Sequence, residues 1–157
     1  MTTQQQIFDL VYKKYKDVFP NMKHGSGGLP DSKGEGTSDV DICVKHADYA
    51  NLAKYFPEDT KVDNQEGRTI YTLSGYDREV NIYCTDGDWW DNGAKHRKTE
   101  IALNKNYPEL SKKAFKIKKE TGKSTEEAWA EVLNLGEDFQ EILFDTDRVL
   151  DIAKHIA

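Results

Sequence analysis

Apolar positions near the start of the chain recur every three to four places, at Ile7, Leu10, Val11, Tyr15 and Val18. That spacing predicts an amphipathic helix, opened by the capping-box pattern Thr3-x-x-Gln6 and ending before Pro20. Residues 25–37 then hold five glycines and one proline. Such a run sustains neither helix nor strand, so a loop is expected. The period changes after it. Asp39-Val-Asp-Ile-Cys-Val44 alternates polar and apolar at its start and is β-branched, which predicts a strand with Val40, Ile42 and Val44 on its buried face. A short helix is expected over residues 47–55. Strands follow at Lys61-Val62, at residues 68–73 and at residues 78–84, with Gly67 and Gly75 marking the turns of a meander.

From Trp89 onward the period is helical. Pro108 stands where a first-turn proline is tolerated, ahead of Leu110, Ala114 and Ile117, and Gly122 interrupts the pattern. Ser124-Thr-Glu-Glu127 is a second capping box, opening a helix that turns Ala128, Val132 and Leu133 inward and that Gly136 ends. A last helix from about Thr146 presents Val149, Leu150, Ala153 and Ile156. The plan is helix, small mixed sheet, then a helical C-terminal half, which is α+β. No internal repeat interrupts it. At 157 residues the expectation is one domain over 1–157, with a helix-and-sheet core over about 1–86 and a helical part over about 87–157.

Composition narrows the function classes. Hydrophobic residues make up 37% and charged residues 32%, so the core is modest and the surface heavily charged. No segment approaches the ~18 consecutive apolar residues of a membrane span. The start of the chain has no basic stretch followed by an apolar run, so no secretory signal and a cytoplasmic location are expected. Cys43 and Cys84 each lie in a strand-like run. They could pair if those strands were neighbours; buried free thiols are the expectation in a reducing compartment. The net charge of −6 argues against generic nucleic-acid binding and against a long duplex as partner. Against that balance, residues 95–123 are rich in lysine and arginine. This is either a solvated helical face or a local attraction for a triphosphate or an RNA end.

The stretch that carries chemistry is His24-Gly-Ser-Gly-Gly, followed by more glycines and then Thr37-Ser-Asp-Val-Asp-Ile42. Glycine lets backbone N–H groups approach a phosphate closely, because it has no Cβ and tolerates positive φ. Side chains at i and i+2 of a strand share a face, so Asp39 and Asp41 project together. Two carboxylates held that close repel, and a divalent cation such as Mg²⁺ relieves the repulsion while gripping phosphate oxygens.

Gly25-Ser26 on a helix-to-strand loop with Asp39-Val40-Asp41 some dozen residues later resembles the signature of the polymerase β-like nucleotidyltransferase superfamily. The resemblance covers about residues 5–84. The stretch Arg97 … Leu103 … Tyr107-Pro-Glu-Leu110 … Lys116-Ile-Lys118 extends it to about residue 120, and is similar to the GrpB-like group. The resemblance implies the nucleotidyltransferase fold, a small twisted mixed sheet with flanking helices. It implies Mg²⁺-dependent transfer of a nucleoside monophosphate from an NTP to an acceptor hydroxyl. Gly25 and Ser26 would bind phosphates, with Arg97 as a further phosphate candidate through its planar fork, and Asp39 and Asp41 would hold one or two Mg²⁺ ions. The family pattern has a third carboxylate on a later strand. Here Asn81 falls at that position, with Val80 and Ile82 facing the core, and Glu79 lies two residues earlier on the same face. An asparagine cannot act as general base.

The acceptor is left open among a small molecule, a protein side chain and an RNA end. Two other function classes stand beside the enzyme: a catalytically inactive nucleotide-binding or regulatory module of the same fold, and a protein-interaction domain in which the glycine run is only a connection. The remaining candidates have plain readings too. His24 is a phosphate contact or a hydrogen-bonded structural group, and Trp89-Trp90 stack on a base or pack and cap at a helix start. His96-Arg97 on the charged helix reach a triphosphate, with Arg97 the better candidate, or Arg97 is equally a surface cation. No residue has metal-ligand spacing with Cys84 or His46, so no zinc site is expected.

Overall fold

The structure is a computed structural model, and it describes residues 2–25, 29 and 39–157, with the backbone alone at Trp89. The chain divides into two compact units, one of Met1–Ser26 with Ser38–Ala94 and the other of Gly27–Thr37 with Lys95–Ala157.

The first unit contains α1 (Gln4–Tyr15), β1 (Lys23–His24), β2 (Val40–Lys45), β3 (Lys61–Gln65), β4 (Arg68–Leu73), β5 (Val80–Thr85) and the first turns of α2 (Trp89–Asn106). The five strands form one sheet in the order β1-β2-β5-β4-β3, with β2 and β5 parallel and the other pairs antiparallel. The β3-β4-β5 part is the expected meander, with Gly67 and Gly75 at φ of +80° and +91° in its turns. The capping box at Thr3 and Gln6 forms as its pattern predicts. Period-2 alternation sorts the sheet residues. Val40, Ile42, Val44, Tyr71, Leu73, Val80, Ile82 and Cys84 are buried with Ile7, Val11 and Tyr15 of α1 in one core. The side chains between them, Asp41, Cys43, Asn81 and Tyr83, belong to the opposite face.

Several elements differ from expectation for identifiable reasons. Leu10 and Val18 are exposed, because the buried stripe of α1 is the narrower i, i+4, i+8 row of Ile7, Val11 and Tyr15. The helix expected over residues 47–55 is two 3₁₀ turns, Tyr49–Asn51 and Ala53–Tyr55. Between them the Leu52 N–H donates to the Tyr71 hydroxyl at 2.9 Å, so a tertiary partner takes the hydrogen bond that would have continued a helix. β1 has only two residues and no sequence signal; its pairing to β2 creates it.

The second unit is helical, with the rest of α2, α3 (Pro108–Thr121), α4 (Thr125–Val132), α5 (Phe139–Ile142) and α6 (Thr146–Ile156). Its core gathers Leu29, Leu103, Leu110, Ala114, Ala128, Trp129, Leu133, Leu143, Val149 and Ala153. Pro108 occupies the first turn of α3, Gly122 caps it at φ +74°, and the Ser124–Glu127 capping box opens α4. Two details depart from expectation. The last helical residue of α4 is Val132, well short of Gly136, because Asn134 already takes a left-handed φ of 55°. Ile156 is exposed as the last residue of α6. Among the described residues, no helix is long and apolar enough to cross a membrane.

Candidate active site

The first unit brings most of the singled-out residues to one place. Asp41 and Asn81 are direct register partners across the parallel β2–β5 pair, and Asp39 and Glu79 immediately precede Val40 and Val80 on the same two strands. The backbone closes this end, with the Val40 N–H donating to the Glu79 carbonyl at 2.9 Å. The Gln4 amide of α1 donates to the Asp39 carbonyl at 2.9 Å, tying the helix start to the strand start. The Asn81 amide nitrogen lies 3.5 Å from an Asp39 carboxylate oxygen and 3.4 Å from one of Asp41. Its oxygen accepts from the Thr72 hydroxyl at 2.8 Å, and Thr72 is the β4 register partner of Asn81. Thr72 carried no signal in the sequence, because its place opposite Asn81 follows from pairing register alone.

Gly25 leaves β1 directly against the second aspartate. Its N–H donates to the Asp41 carbonyl at 2.6 Å, and a Cβ at position 25 would stand 2.9 Å from that oxygen. Only glycine permits this approach of backbone to backbone. Ser26 lies outside the described residues.

Electrostatics mark the same spot. A hydrogen bond to the Asp39 carboxylate, together with that group's charge, raises the pKa of the exposed Glu79 carboxyl above the usual carboxylate range, and Lys61 works against that shift. Burial, with the Asp41 charge second, pushes the Cys43 thiol and the Tyr83 hydroxyl each up to about 12. The Arg68 guanidinium sits 5.3 Å from the Tyr83 ring centre. Asp39 and Asp41 thus stand on one face of the sheet, and the charge of Asp41 reaches Cys43 and Tyr83 on the neighbouring strand positions. Asp39 and Asp41 present the oxygen donors that a hard divalent ion takes, and this donor chemistry fits Mg²⁺. Among the described residues, no group of three or more His, Cys, Asp or Glu is placed to hold a metal ion.

The other candidates resolve as structural groups or stand apart. His24 is buried, stacks on Phe8 at 4.9 Å and bonds Gln5 through Nδ1 at 3.2 Å. His96 is buried in the second unit, with Nε2 at 3.0 Å from the Gln140 carbonyl and its ring stacked on Phe144. Trp90 donates its indole N–H to the Asn21 carbonyl at 2.7 Å and carries the Lys23 ammonium 3.6 Å from its ring centre, so it pins the start of α2 to the sheet edge. Cys43 and Cys84 are free and buried, with side chains on opposite faces of neighbouring strands, so they do not pair. Arg97 lies on the second unit's stretch of α2, half-buried; burial lowers its pKa and the Glu100 carboxylate opposes that.

No protein-family model and no curated protein matches the chain. Solved structures do. The chain is similar to one from the GLD-2/RNP-8 complex, with a TM-score of 0.53 and 14% identity over 83% of this chain. It spans only 56% of the length of that neighbour. The conserved protein GrpB from Enterococcus faecalis superposes with a TM-score of 0.48 and 11% identity, over 97% of this chain and 88% of that one, too loose a match to carry weight. At such identities a shared structure speaks for the fold and not for the chemistry. The five-stranded mixed sheet with its flanking helices is thus a nucleotidyltransferase fold, the α+β architecture that the Gly-Ser and Asp-x-Asp pattern implied.

Proposed function

We propose that the chain is a Mg²⁺-dependent nucleotidyltransferase that moves a nucleoside monophosphate from an NTP to an acceptor hydroxyl. The observation that carries the proposal is the pair Asp39 and Asp41 on one sheet face, with the Gly25 amide packed against Asp41 where a phosphate-binding loop would begin. In this reading the acceptor oxygen forms a bond to the α-phosphorus, the bond from that phosphorus to the bridging oxygen breaks, and pyrophosphate leaves. Asp39 and Asp41 would hold Mg²⁺, which supplies charge stabilisation on the phosphate oxygens and lowers the pKa of a coordinated hydroxyl. Gly25 and Ser26 would position the phosphates. Glu79 is the carboxylate available to take the acceptor proton, since Asn81 cannot. The acceptor is a small molecule, a protein side chain or an RNA end.

Asn81 favours a second reading, a nucleotide-binding or regulatory module of the same fold that does not transfer. Titration with each NTP as a non-hydrolysable analogue, with and without Mg²⁺, tests the shared part. Metal-dependent binding that is lost in Asp39→Asn and Asp41→Asn is the expected result, and no binding of any nucleotide would overturn both readings. Turnover separates the two. For the enzyme, either aspartate variant loses activity by a factor on the order of 10³, about 4 kcal/mol of barrier, without a fall in melting temperature. Glu79→Gln then loses activity too. No turnover in the wild type leaves the binding module.

A further inference from the structure

Inside an α-helix glycine is a poorer choice than alanine, because it loses more backbone freedom on folding and packs nothing. Gly93 is the fifth residue of α2, within the turns that belong to the sheet unit. The contacts around it give it a reason to be there. A Cβ at position 93 would stand 2.7 Å from the Cys43 sulfur and 3.5 Å from the Gly25 Cα. Cys43 shares a face of β2 with Asp41, two residues away, and the Gly25 N–H donates to the Asp41 carbonyl. Two glycines and one thiol therefore form a single close contact that joins α2, the end of β1 and the strand carrying Asp41.

The helix is fastened where it makes this contact. The Trp90 indole N–H donates to the Asn21 carbonyl at 2.7 Å, and the Lys23 ammonium donates to the Asp91 carboxylate at 2.7 Å, so the residues just before Gly93 are tied to the β1 edge. On the other side the Cys43 side chain is buried. A methyl group added at position 93 is then accommodated by displacing β2 or the Gly25 backbone, and either shift moves the Gly25 amide relative to Asp41.

We infer that Gly93 is a positioning residue for the proposed site: the side chain it lacks lets α2 hold Gly25 and the Asp41 strand in the relative place that phosphate binding needs. This rests on Gly25 and Asp41 being the phosphate and metal groups proposed above. It adds a residue on a third element, which acts through Gly25 and Cys43 and not on the ligand itself.

Calorimetric titration of the purified full chain with Mg²⁺ and a non-hydrolysable NTP analogue tests this, at a temperature where circular dichroism shows the variants folded. Gly93→Ala is expected to weaken binding of the analogue by on the order of tenfold. Gly93→Ala combined with Cys43→Ala, measured against Cys43→Ala alone, should regain most of that affinity, because the sulfur that the new methyl meets is gone. Ile7→Val controls for stability. Its side chain is buried in the core on the other face of the sheet, so it should lower the melting temperature and leave affinity unchanged.

Wild-type affinity in a folded Gly93→Ala would overturn the inference and leave the nucleotidyltransferase reading intact. So would a loss that Cys43→Ala does not relieve, or an equal loss in Ile7→Val. If Gly93→Ala does not fold, the double variant decides. A folded chain that binds like Cys43→Ala supports the inference, and one that is unfolded or binds more weakly overturns it. A wild type that binds no analogue brings down the reading of the site and this inference together.

Discussion

The two units of the chain treat polar groups in opposite ways. In the helical unit nearly every local signal agrees with its neighbours: Pro108 in a first turn, Gly122 at a left-handed cap, a complete capping box at Ser124 and Glu127, and an apolar core around the fully buried Trp129. In the sheet unit one face is equally regular, with Val40, Ile42, Val80 and Ile82 fully buried. The other face sets Asp39 and Asp41 side by side, adds Glu79 against Asp39, and lays backbone on backbone at Gly25. A stretch that gathers like charges instead of dispersing them gains nothing in stability, and such local conflicts mark places kept for function. The contrast thus falls on the sheet unit, where the proposed site lies.

Mutations that test stability should follow the same division. The largest loss is expected from Trp129→Ala, which empties the centre of the helical core and should cost about 3–5 kcal/mol. Denaturant unfolding followed by circular dichroism measures it. A cost below about 1 kcal/mol would mean that this core is not what holds the helical unit together.

An intermediate effect is expected at Gly93, where an added Cβ would stand 2.7 Å from the Cys43 sulfur. Gly93→Ala should destabilise by about 1–3 kcal/mol through this overpacking. The double variant with Cys43→Ala removes the sulfur and should recover most of the loss. If it recovers none, the close approach of α2 to β2 is not the cause.

The smallest effect lies at the capping box. Ser124→Ala should cost about 1 kcal/mol. Glu127 sharpens the point through pH. Its carboxylate accepts the Ser124 N–H, and this hydrogen bond lowers its pKa in the folded chain. A depressed acid contributes stability above its unfolded value and loses it as pH falls through the folded one. The melting-temperature gap between wild type and Glu127→Gln should therefore be open at pH 7 and close below the ordinary glutamate range. A gap independent of pH would remove the charge from the explanation.

Local patterns carried much of this fold. Helix starts at Thr3 and Ser124, the turn glycines 67, 75 and 122, and the alternation from Val40 to Val44 all act within a few residues, so they are visible along the chain. The aspartate pair was visible for the same reason, since i and i+2 on a strand share a face whatever surrounds it. What local pattern could not supply was the partner across each strand. β1 exists because β2 pairs with it; the helix expected at residues 47–55 yields to the Tyr71 hydroxyl; and Thr72 meets Asn81 through a register that joins distant segments. These contacts depend on how strands align in space, and pairing energy is shared between residues far apart in the chain. Periodicity therefore placed Asp39 and Asp41 on one strand face, whereas their neighbours Asn81 and Thr72 emerged only from the folded sheet.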